Sequence, residues 1–358
     1  MRKIQINIAS DKKSYPIFVG SGILDAITKF DLYSYSKIVV ITDTHIENLF
    51  LKKIVPYFPQ NISTIIIPCG ERAKSITCIL EIWRQLLEIG CDRKSLVINI
   101  GGGVIGDMGG FAASTFMRGL DFLQIPTTLL AQVDSSIGGK TGINFLGVKN
   151  LIGVFRQPIG VMCDVSVLES LSDRILTEGF GEVIKHGAIA DRSYFNFVTS
   201  KKPKEFSQKE LSKVVSGSIE IKKCIVEEDV TEKDRRRLVN FGHTIGHALE
   251  SLSLESGSPL LHGEAVSIGM IAEGKISVLK NILKQEDLET ITKALEHAGL
   301  PTKAQNIDHK KVMEKIKSDK KSERGIVYFT LLSGIGTCQT GQEVSDQNIK
   351  KALEFVAS

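Results

Sequence analysis

The sequence predicts an α/β protein with two domains: an N-terminal Rossmann-like, NAD-binding domain with a mostly parallel sheet (residues 1–171) and a mainly α-helical, metal- and substrate-binding domain (residues 172–358). Short β-rich runs alternate with helix-like segments in the first half, which is typical of a parallel sheet with helices on its faces. After about residue 171 the strand pattern fades and amphipathic segments follow. The length of 358 residues suits two domains of roughly 150 residues.

The β-rich runs 38–42, 64–67 and 96–100 predict strands, and apolar spacing over 76–89 predicts a helix between the last two. In the second half, the same spacing predicts a set of helices over 176–190, 206–226, 238–252, 264–279 and 286–297. The last of these stops at Gly299 with Pro301 just beyond, and 326–332 is predicted as a late strand.

A glycine-rich turn, Gly101-Gly102-Gly103-Val104-Ile105-Gly106, follows the strand that ends at residue 100. Its G-x-G-x-x-G spacing lets backbone N–H groups approach a pyrophosphate at a helix N-terminus. Because at least two strand candidates precede the turn, it does not match the first strand of an ordinary Rossmann half. A tight strand-to-helix crossing without a ligand is the alternative interpretation.

A second loop, residues 134–142, ends like a P-loop but carries Asp134 where Walker A requires glycine. That carboxylate would repel a phosphate, and the following residues are poor helix formers, so we exclude a P-loop ATPase. The loop presents Lys140, with Lys149 and Asn150 close behind, to an anionic or hydroxylated ligand. Ordinary surface lysines are the alternative.

Four of the seven histidines fall in one window of the helical half together with Glu182. His243 and His247 are four residues apart and share a helix face, while His186 follows Glu182 by one turn. One Glu and two His would leave a zinc coordination position open, as catalysis requires. The spacing does not decide which two histidines bind the metal, and Thr244, where a zincin has Glu, disfavours a zinc protease.

Charge and cysteine usage narrow the class of protein further. The net charge of +4 is accounted for by residues 310–324, so a nucleic-acid-binding surface is not indicated. Two interpretations of that cluster are open: a site that binds an anion, or a solvated helix face, which is the simpler one. The six cysteines are scattered along the sequence, which predicts reduced thiols and no disulfides. The sequence shows no apolar run of membrane-spanning length and its N-terminus does not resemble a signal peptide, so we expect a cytoplasmic protein without a membrane partner.

Several ordered blocks together resemble the 3-dehydroquinate synthase family of the sugar-phosphate cyclase superfamily. Besides the glycine-rich turn and the loop at 134–142, they include the following: Gly70-Glu71-x-x-Lys74, Arg118-Gly119, Gly181-Glu182-x-x-Lys185, Asn240-Phe241-Gly242-His243-Thr244-x-Gly246-His247, His262-Gly263-Glu264 and Asp319-Lys320-Lys321. The resemblance covers nearly the whole chain.

The resemblance implies a phosphate-eliminating lyase of the shikimate pathway that makes 3-dehydroquinate from 3-deoxy-D-arabino-heptulosonate 7-phosphate. A hydroxyl is transiently oxidised with bound NAD, phosphate is eliminated, the hydride returns, and ring opening precedes an intramolecular aldol closure. It further implies a homodimer and a divalent metal, zinc or cobalt, held by Glu182, His243 and His262.

The other site residues are carried over from the family in the same way. Those implied to contact NAD are Asp43, Glu71, Lys74, Gly103, Val104, Ile105, Gly106, Asp107, Thr127, Thr128, Lys140, Lys149 and Ser170. Those implied to contact the sugar phosphate are Asp134, Lys140, Asn150, Lys185, Lys222, Arg236, Asn240, His247, Lys320 and Lys321, with Arg118 reaching across a dimer interface.

Three alternatives differ in function. A metal-dependent polyol dehydrogenase shares the glycine-rich turn but has no use for the cations Lys222, Arg236 and Lys320. A sister cyclase for another sugar phosphate differs in only a few of these cations. A non-catalytic binding protein is disfavoured by the intact metal-ligand set.

Overall fold

The computed structural model of the chain describes residues 1–8, 13–58, 62–146, 148–230, 235–254, 259–305, 308–318, 322–323 and 326–357. The chain divides into two compact units, Met1–Leu171 with Gln208–Ile219, and Ser172–Ser207 with Glu220–Ser358. The short segment Gln208–Ile219 thus groups with the N-terminal residues although it lies beyond residue 171 in the sequence.

A seven-stranded sheet forms the centre of the first unit. Its strands are β1 (Arg2–Ile8), β2 (Lys13–Gly20), β3 (Ile38–Asp43), β4 (Ser63–Ile67), β5 (Leu96–Gly101), β6 (Asp121–Pro126) and β9 (Gly160–Asp164). The order across the sheet is β1-β2-β9-β6-β5-β3-β4, and every neighbouring pair is parallel except β1 with β2. The fold class predicted for this half is confirmed.

Helices cover this sheet, and a separate hairpin follows β6. The helices with α-helical hydrogen bonding are α1 (Thr44–Ile46), α2 (Lys52–Ile54), α3 (Ile76–Glu88) and α4 (Gly103–Thr115). Helix α4 packs closely on β5, since a Cβ added at Gly109 would lie 1.9 Å from Asn99 Oδ1. The hairpin pairs β7 (Lys140–Phe145) with β8 (Val148–Phe155). Because a strand and not a helix begins at Lys140, the exclusion of a P-loop is confirmed.

The second unit is mainly helical, as predicted. Its helices are α5 (Asp173–Ala190), α6 (Arg192–Val198), α8 (His243–Ser253), α9 (His262–Leu279), α10 (Gln285–Ala298), α11 (His309–Ser318) and α12 (Asp346–Val356), and α7 (Gln208–Glu228) runs from the first unit into it. A three-stranded sheet joins β10 (Ser322–Glu323), β11 (Ile326–Gly334) and β12 (Thr337–Glu343).

Two helix ends show how local conformation sets these boundaries. Helix α10 ends where predicted, with Gly299 in the left-handed region at φ 85°. Helix α8 begins later than predicted, at His243 instead of residue 238. The preceding residues Arg235–Asn240 form a separate 3-10 turn, and Gly242 at φ 79° breaks the helical path before α8 begins.

Candidate functional site

The residues expected to bind NAD follow the carboxyl ends of parallel strands. Asp43 ends β3, Thr127 follows β6, and the glycine-rich turn follows β5. Glu71 lies just beyond β4, and Ser170 ends the 3-10 turn that follows β9. Since the carboxyl ends of parallel strands share one edge of a sheet, five separate stretches of sequence converge there, at the usual edge for a nucleotide.

The glycine-rich turn leads directly from β5 into α4, with Gly102 as the N-cap. A Cβ at Gly102 would lie 3.2 Å from Thr128 Cγ2, and one at Gly103 would lie 3.0 Å from Ser135 Oγ. The turn is therefore narrow enough that side chains would crowd it. The N-terminus of the 13-residue α4 carries no side-chain cap, which suits it to a diphosphate.

Lys74 links residues expected at the nucleotide with one expected at the substrate. Its Nζ, buried to 5% exposure, donates to Asp107 Oδ2 and to Asn150 Oδ1, both at 2.5 Å. Burial raises the pKa of Asp107, although the Lys74 ammonium acts in the opposite direction. Because the Lys74 ammonium bonds to both side chains, it fixes Asp107 on α4 relative to Asn150 on β8.

Asn144 extends this cluster, and sequence reasoning assigned it no role. Its Nδ2 donates to Glu71 Oε1 at 2.8 Å, and its Oδ1 accepts from the Asn150 backbone N–H at 2.9 Å. The second bond holds Asn150 at a left-handed φ of 50°. The only signal in the sequence was the position of Asn144 within the block that begins at Asp134.

Other predicted residues of the first unit differ in exposure. Lys140, Arg118 and Ser170 are exposed, whereas Lys149 and Asp134 are partly buried. Arg118 has a left-handed φ of 70°. Ser170 Oγ donates to the Val167 carbonyl at 2.7 Å, so its hydroxyl is oriented by its own turn.

In the second unit, Glu182 meets two of the predicted ligands. Its carboxylate lies on α5 and is fully buried, and its Oε1 is 3.5 Å from Nε2 of both His243 and His262. The two histidines are the first residues of α8 and α9, so three helices bring one carboxylate and two imidazoles together.

The imidazole rings of His243 and His262 are each oriented by a contact at Nδ1, on the side opposite Glu182. The Nδ1 of His243 lies 3.2 Å from the Phe241 carbonyl, which can only accept, so Nδ1 donates and Nε2 is the ring nitrogen left for a metal ion. The Nδ1 of His262 lies 3.5 Å from Glu250 Oε2. Burial alone would lower the pKa of His262, but its attraction to Glu182 and Glu250 outweighs burial and raises that pKa to about 10. One carboxylate and two oriented imidazoles are a donor set that zinc accepts.

His247 and His186 flank this cluster. The ring of His247 stacks edge-on to His243 at a centroid distance of 4.9 Å, and ligand atoms of His243, His247 and His262 lie within 4.8 Å of one another. The fully buried His186 places Nε2 3.9 Å from Glu182 Oε2. His243 and His262 both have Nε2 at 3.5 Å from the same carboxylate oxygen, Oε1 of Glu182.

The second unit also buries predicted substrate-binding cations. Lys185 forms an ion pair with Glu182 Oε2, and Lys222 is 5% exposed. Arg236 is buried, with Nη1 donating to the Val230 carbonyl at 2.6 Å and its backbone N–H to Asp229 Oδ2 at 3.0 Å. Asn240 is partly buried. Lys320 and Lys321 lie outside the described residues.

Three buried glutamates that sequence reasoning missed lie near the predicted metal ligands. Glu178 Oε2 accepts the Gly263 N–H at 3.0 Å, next to His262, and burial raises the pKa of Glu178. Glu250 faces His262 as described above, and Glu273 is fully buried on α9. In the sequence these residues look like ordinary helix-forming glutamates, because only the packing of α5, α8 and α9 reveals their partners.

Within the described residues, each helix is too short or too polar to traverse a lipid bilayer.

Comparisons with known families and proteins match the chain along most of its length. Residues 64–178 match the family described as 3-dehydroquinate synthase N-terminal, and residues 179–322 match 3-dehydroquinate synthase C-terminal. A 3-dehydroquinate synthase of Thermodesulfovibrio yellowstonii is 40% identical over 361 residues, covering 99% of each chain. Another, from Lactococcus lactis, is 37% identical and covers 98% of this chain and all of the relative.

Solved structures share the fold at lower identity. A 2-deoxy-scyllo-inosose synthase complexed with carbaglucose-6-phosphate, NAD⁺ and Co²⁺ superposes with a TM-score of 0.89 at 24% identity, covering 99% of this chain and 100% of that one. A 2-epi-5-epi-valiolone synthase from Streptomyces hygroscopicus with NAD⁺ and Zn²⁺ bound gives a TM-score of 0.87 at 24% identity, with 96% and 97% covered.

Proposed function

Since the chain belongs to the 3-dehydroquinate synthase family, we propose that it converts 3-deoxy-D-arabino-heptulosonate 7-phosphate into 3-dehydroquinate and phosphate, as a carbon–oxygen lyase of the shikimate pathway. The observation that carries the proposal is the meeting of Glu182 Oε1 with both Nε2 atoms of His243 and His262 at 3.5 Å. A synthase needs a metal-ligand set together with buried cations for an anionic substrate; these three side chains would supply the first, and the buried Lys185, Lys222 and Arg236 the second.

Glu182, His243 and His262 would hold the metal, zinc or cobalt. When bound, the metal would polarise the hydroxyl that is oxidised, and NAD would accept the hydride and return it. The bond from His243 Nδ1 to the Phe241 carbonyl keeps Nε2 available, and Glu250 does the same for His262. Lys185, paired with Glu182, keeps an ammonium at the place where a substrate oxygen would arrive.

NAD would lie along the carboxyl edge of the parallel sheet. The α4 N-terminus and residues 103–107 would hold its diphosphate, because the N–H groups of a helix's first turn point at a bound anion and the helix dipole favours negative charge there. The carboxylates of Asp43, at the end of β3, and of Glu71, just beyond β4, would accept hydrogen bonds from sugar hydroxyls. Lys74, Thr127, Thr128, Lys140, Lys149 and Ser170 would complete the site.

The substrate's carboxylate and phosphate would be held by cations. Lys222 and Arg236 are buried, and few waters compete with an anion for a buried cation, so each bond is stronger than at the surface. Asp134, Asn150, Asn240 and His247 would contact hydroxyls. The departing phosphate would serve as base for its own elimination. By resemblance to the family, Lys320 and Lys321 would also contact the anion, and Arg118 would reach it from the second subunit of a cytoplasmic homodimer.

The decisive experiment adds the heptulosonate phosphate to zinc-loaded protein with NAD and measures phosphate, dehydroquinate and NADH together. We expect stoichiometric phosphate and dehydroquinate without net NADH, because the hydride returns to the product in each turnover. Accumulating NADH with a polyol would favour a dehydrogenase, and turnover of only a hexose 6-phosphate would favour a sister cyclase. Folded, metal-loaded protein that releases no phosphate would refute the proposal.

A further inference from the structure

The N-terminus of α8, which carries His243 as its first residue, is capped from another helix. Its N-cap is Gly242, which has no side chain to accept the N–H groups of the first turn, and these groups have no acceptor within the helix. Glu273, on α9, supplies the missing acceptors. Its Oε2 accepts the Gly242 N–H at 2.7 Å, and its Oε1 accepts the Ile245 N–H at 3.0 Å.

The capping carboxylate itself has little freedom to move. Glu273 is fully buried, and it lies one turn beyond Gly269, where α9 touches the start of α8. A Cβ at Gly269 would lie 1.9 Å from the Gly242 carbonyl oxygen, so the two backbones are in direct contact. A negative charge at a helix N-terminus is also favoured by the helix dipole.

His243 lies between the two N–H groups that Glu273 accepts. On the same short segment, the His243 Nδ1 is held by the Phe241 carbonyl at 3.2 Å. The backbone on both sides of His243 and the tilt of its ring are therefore determined by bonds that involve no metal. These bonds leave Nε2 at 3.5 Å from Glu182 Oε1.

We infer that Glu273 is a positioning residue for the metal centre: by capping α8 from α9 it holds His243 in its ligating position before the metal binds. The inference rests on the proposed metal site. Both capping bonds go to backbone N–H groups at the start of α8, so the effect of Glu273 acts through that backbone. Outer groups of this kind contribute roughly 10- to 100-fold to metal affinity.

The test compares Glu273→Gln with the wild type by competition for Zn²⁺ against a chromophoric chelator. Gln has the same shape but replaces one acceptor oxygen with an NH₂ group, which would face a backbone N–H. We expect zinc affinity to fall by roughly 10- to 100-fold. We also expect the visible spectrum of the Co²⁺-loaded variant to change, because the spectrum reports ligand geometry.

Ser267→Ala is the matched control. Ser267 is also fully buried on α9, and its Oγ donates to the Pro301 carbonyl at 2.8 Å, away from α8. This variant should lose a buried hydrogen bond while keeping wild-type zinc affinity and Co²⁺ spectrum. Equal loss of affinity in both variants, or wild-type affinity in Glu273→Gln, would refute a positioning role. Wild-type protein that binds no zinc would instead refute the metal site.

Hydrogen exchange of the wild-type protein needs no variant, and it tests the positioning role of Glu273 even if Glu273→Gln does not fold. If the carboxylate holds α8 before the metal arrives, the Gly242 and Ile245 amides should resist hydrogen exchange in metal-free wild-type protein as they do in the zinc-loaded form. Rapid exchange of both amides without metal would show that zinc, and not Glu273, orders this turn, and would overturn the inference.

Discussion

Replacing Gly263 by alanine tests whether backbone contact between α5 and α9 sets the metal-ligand geometry. Gly263 follows the proposed ligand His262, and a Cβ at this position would lie 1.8 Å from the Glu178 carbonyl oxygen and 2.6 Å from its carbon. Since an ordinary C···O contact is about 3.3 Å, the two helices would have to separate by about 1.5 Å. Neither group is a flexible side chain that could move aside.

A separation of that size exceeds what the metal site tolerates. Ligand distances in a working site hold within about 0.2 Å, so His262 would be withdrawn from Glu182. We expect Gly263→Ala to lose zinc affinity by more than the roughly 100-fold that an outer-shell partner contributes. We also expect it to lower the free energy of unfolding by about 3 kcal/mol, as overpacking a rigid core does.

Gly274→Ala provides a control on the same helix. A Cβ at Gly274 would meet only the end of the Leu288 side chain, at 2.8 Å from Cδ1, which can rotate away. Alanine also favours the helix by about 1 kcal/mol over glycine. The assay is chelator competition for Zn²⁺ alongside thermal unfolding of both variants. Wild-type zinc affinity and stability in Gly263→Ala would refute the reasoning.

Three further substitutions separate the proposed roles. His243→Ala should abolish zinc binding and phosphate release together, because it removes one of three ligands; one zinc ion retained per chain would contradict the ligand assignment. Lys74→Met should weaken NAD binding at least tenfold (about 1.4 kcal/mol) with zinc content unchanged, because it releases Asp107 and Asn150; NAD titration with wild-type affinity would exclude that role. Lys320→Ala, at a position outside the described residues, should raise KM for the sugar phosphate without altering metal content. An unchanged dependence of rate on substrate concentration would show that Lys320 does not bind the sugar phosphate.

The fold class could be predicted because the signals are local. The runs predicted as strands are β3, β4 and β5 in the structure, with β3 and β5 buried throughout and β4 buried at Ile65 and Ile67. Gly299 ends α10 through its own left-handed conformation. Strand β12 was missed because alternate residues along it are exposed and its sequence, TCQTGQE, has little apolar periodicity. The start of α8 was misplaced because the apolar spacing continues through the 3-10 turn that precedes Gly242.

By itself, the sequence determined the two-part α/β organisation, the glycine-rich turn after a buried strand and the set of histidines from which the proposed metal ligands are drawn. These depend on periodicity and spacing within one element. Tertiary structure decided that Glu182 Oε1 faces Nε2 of His243 and of His262, and that Glu273 caps the helix of His243. Such partners lie on different helices, and the distance between them depends on how closely the backbones pack, which spacing along one helix does not encode.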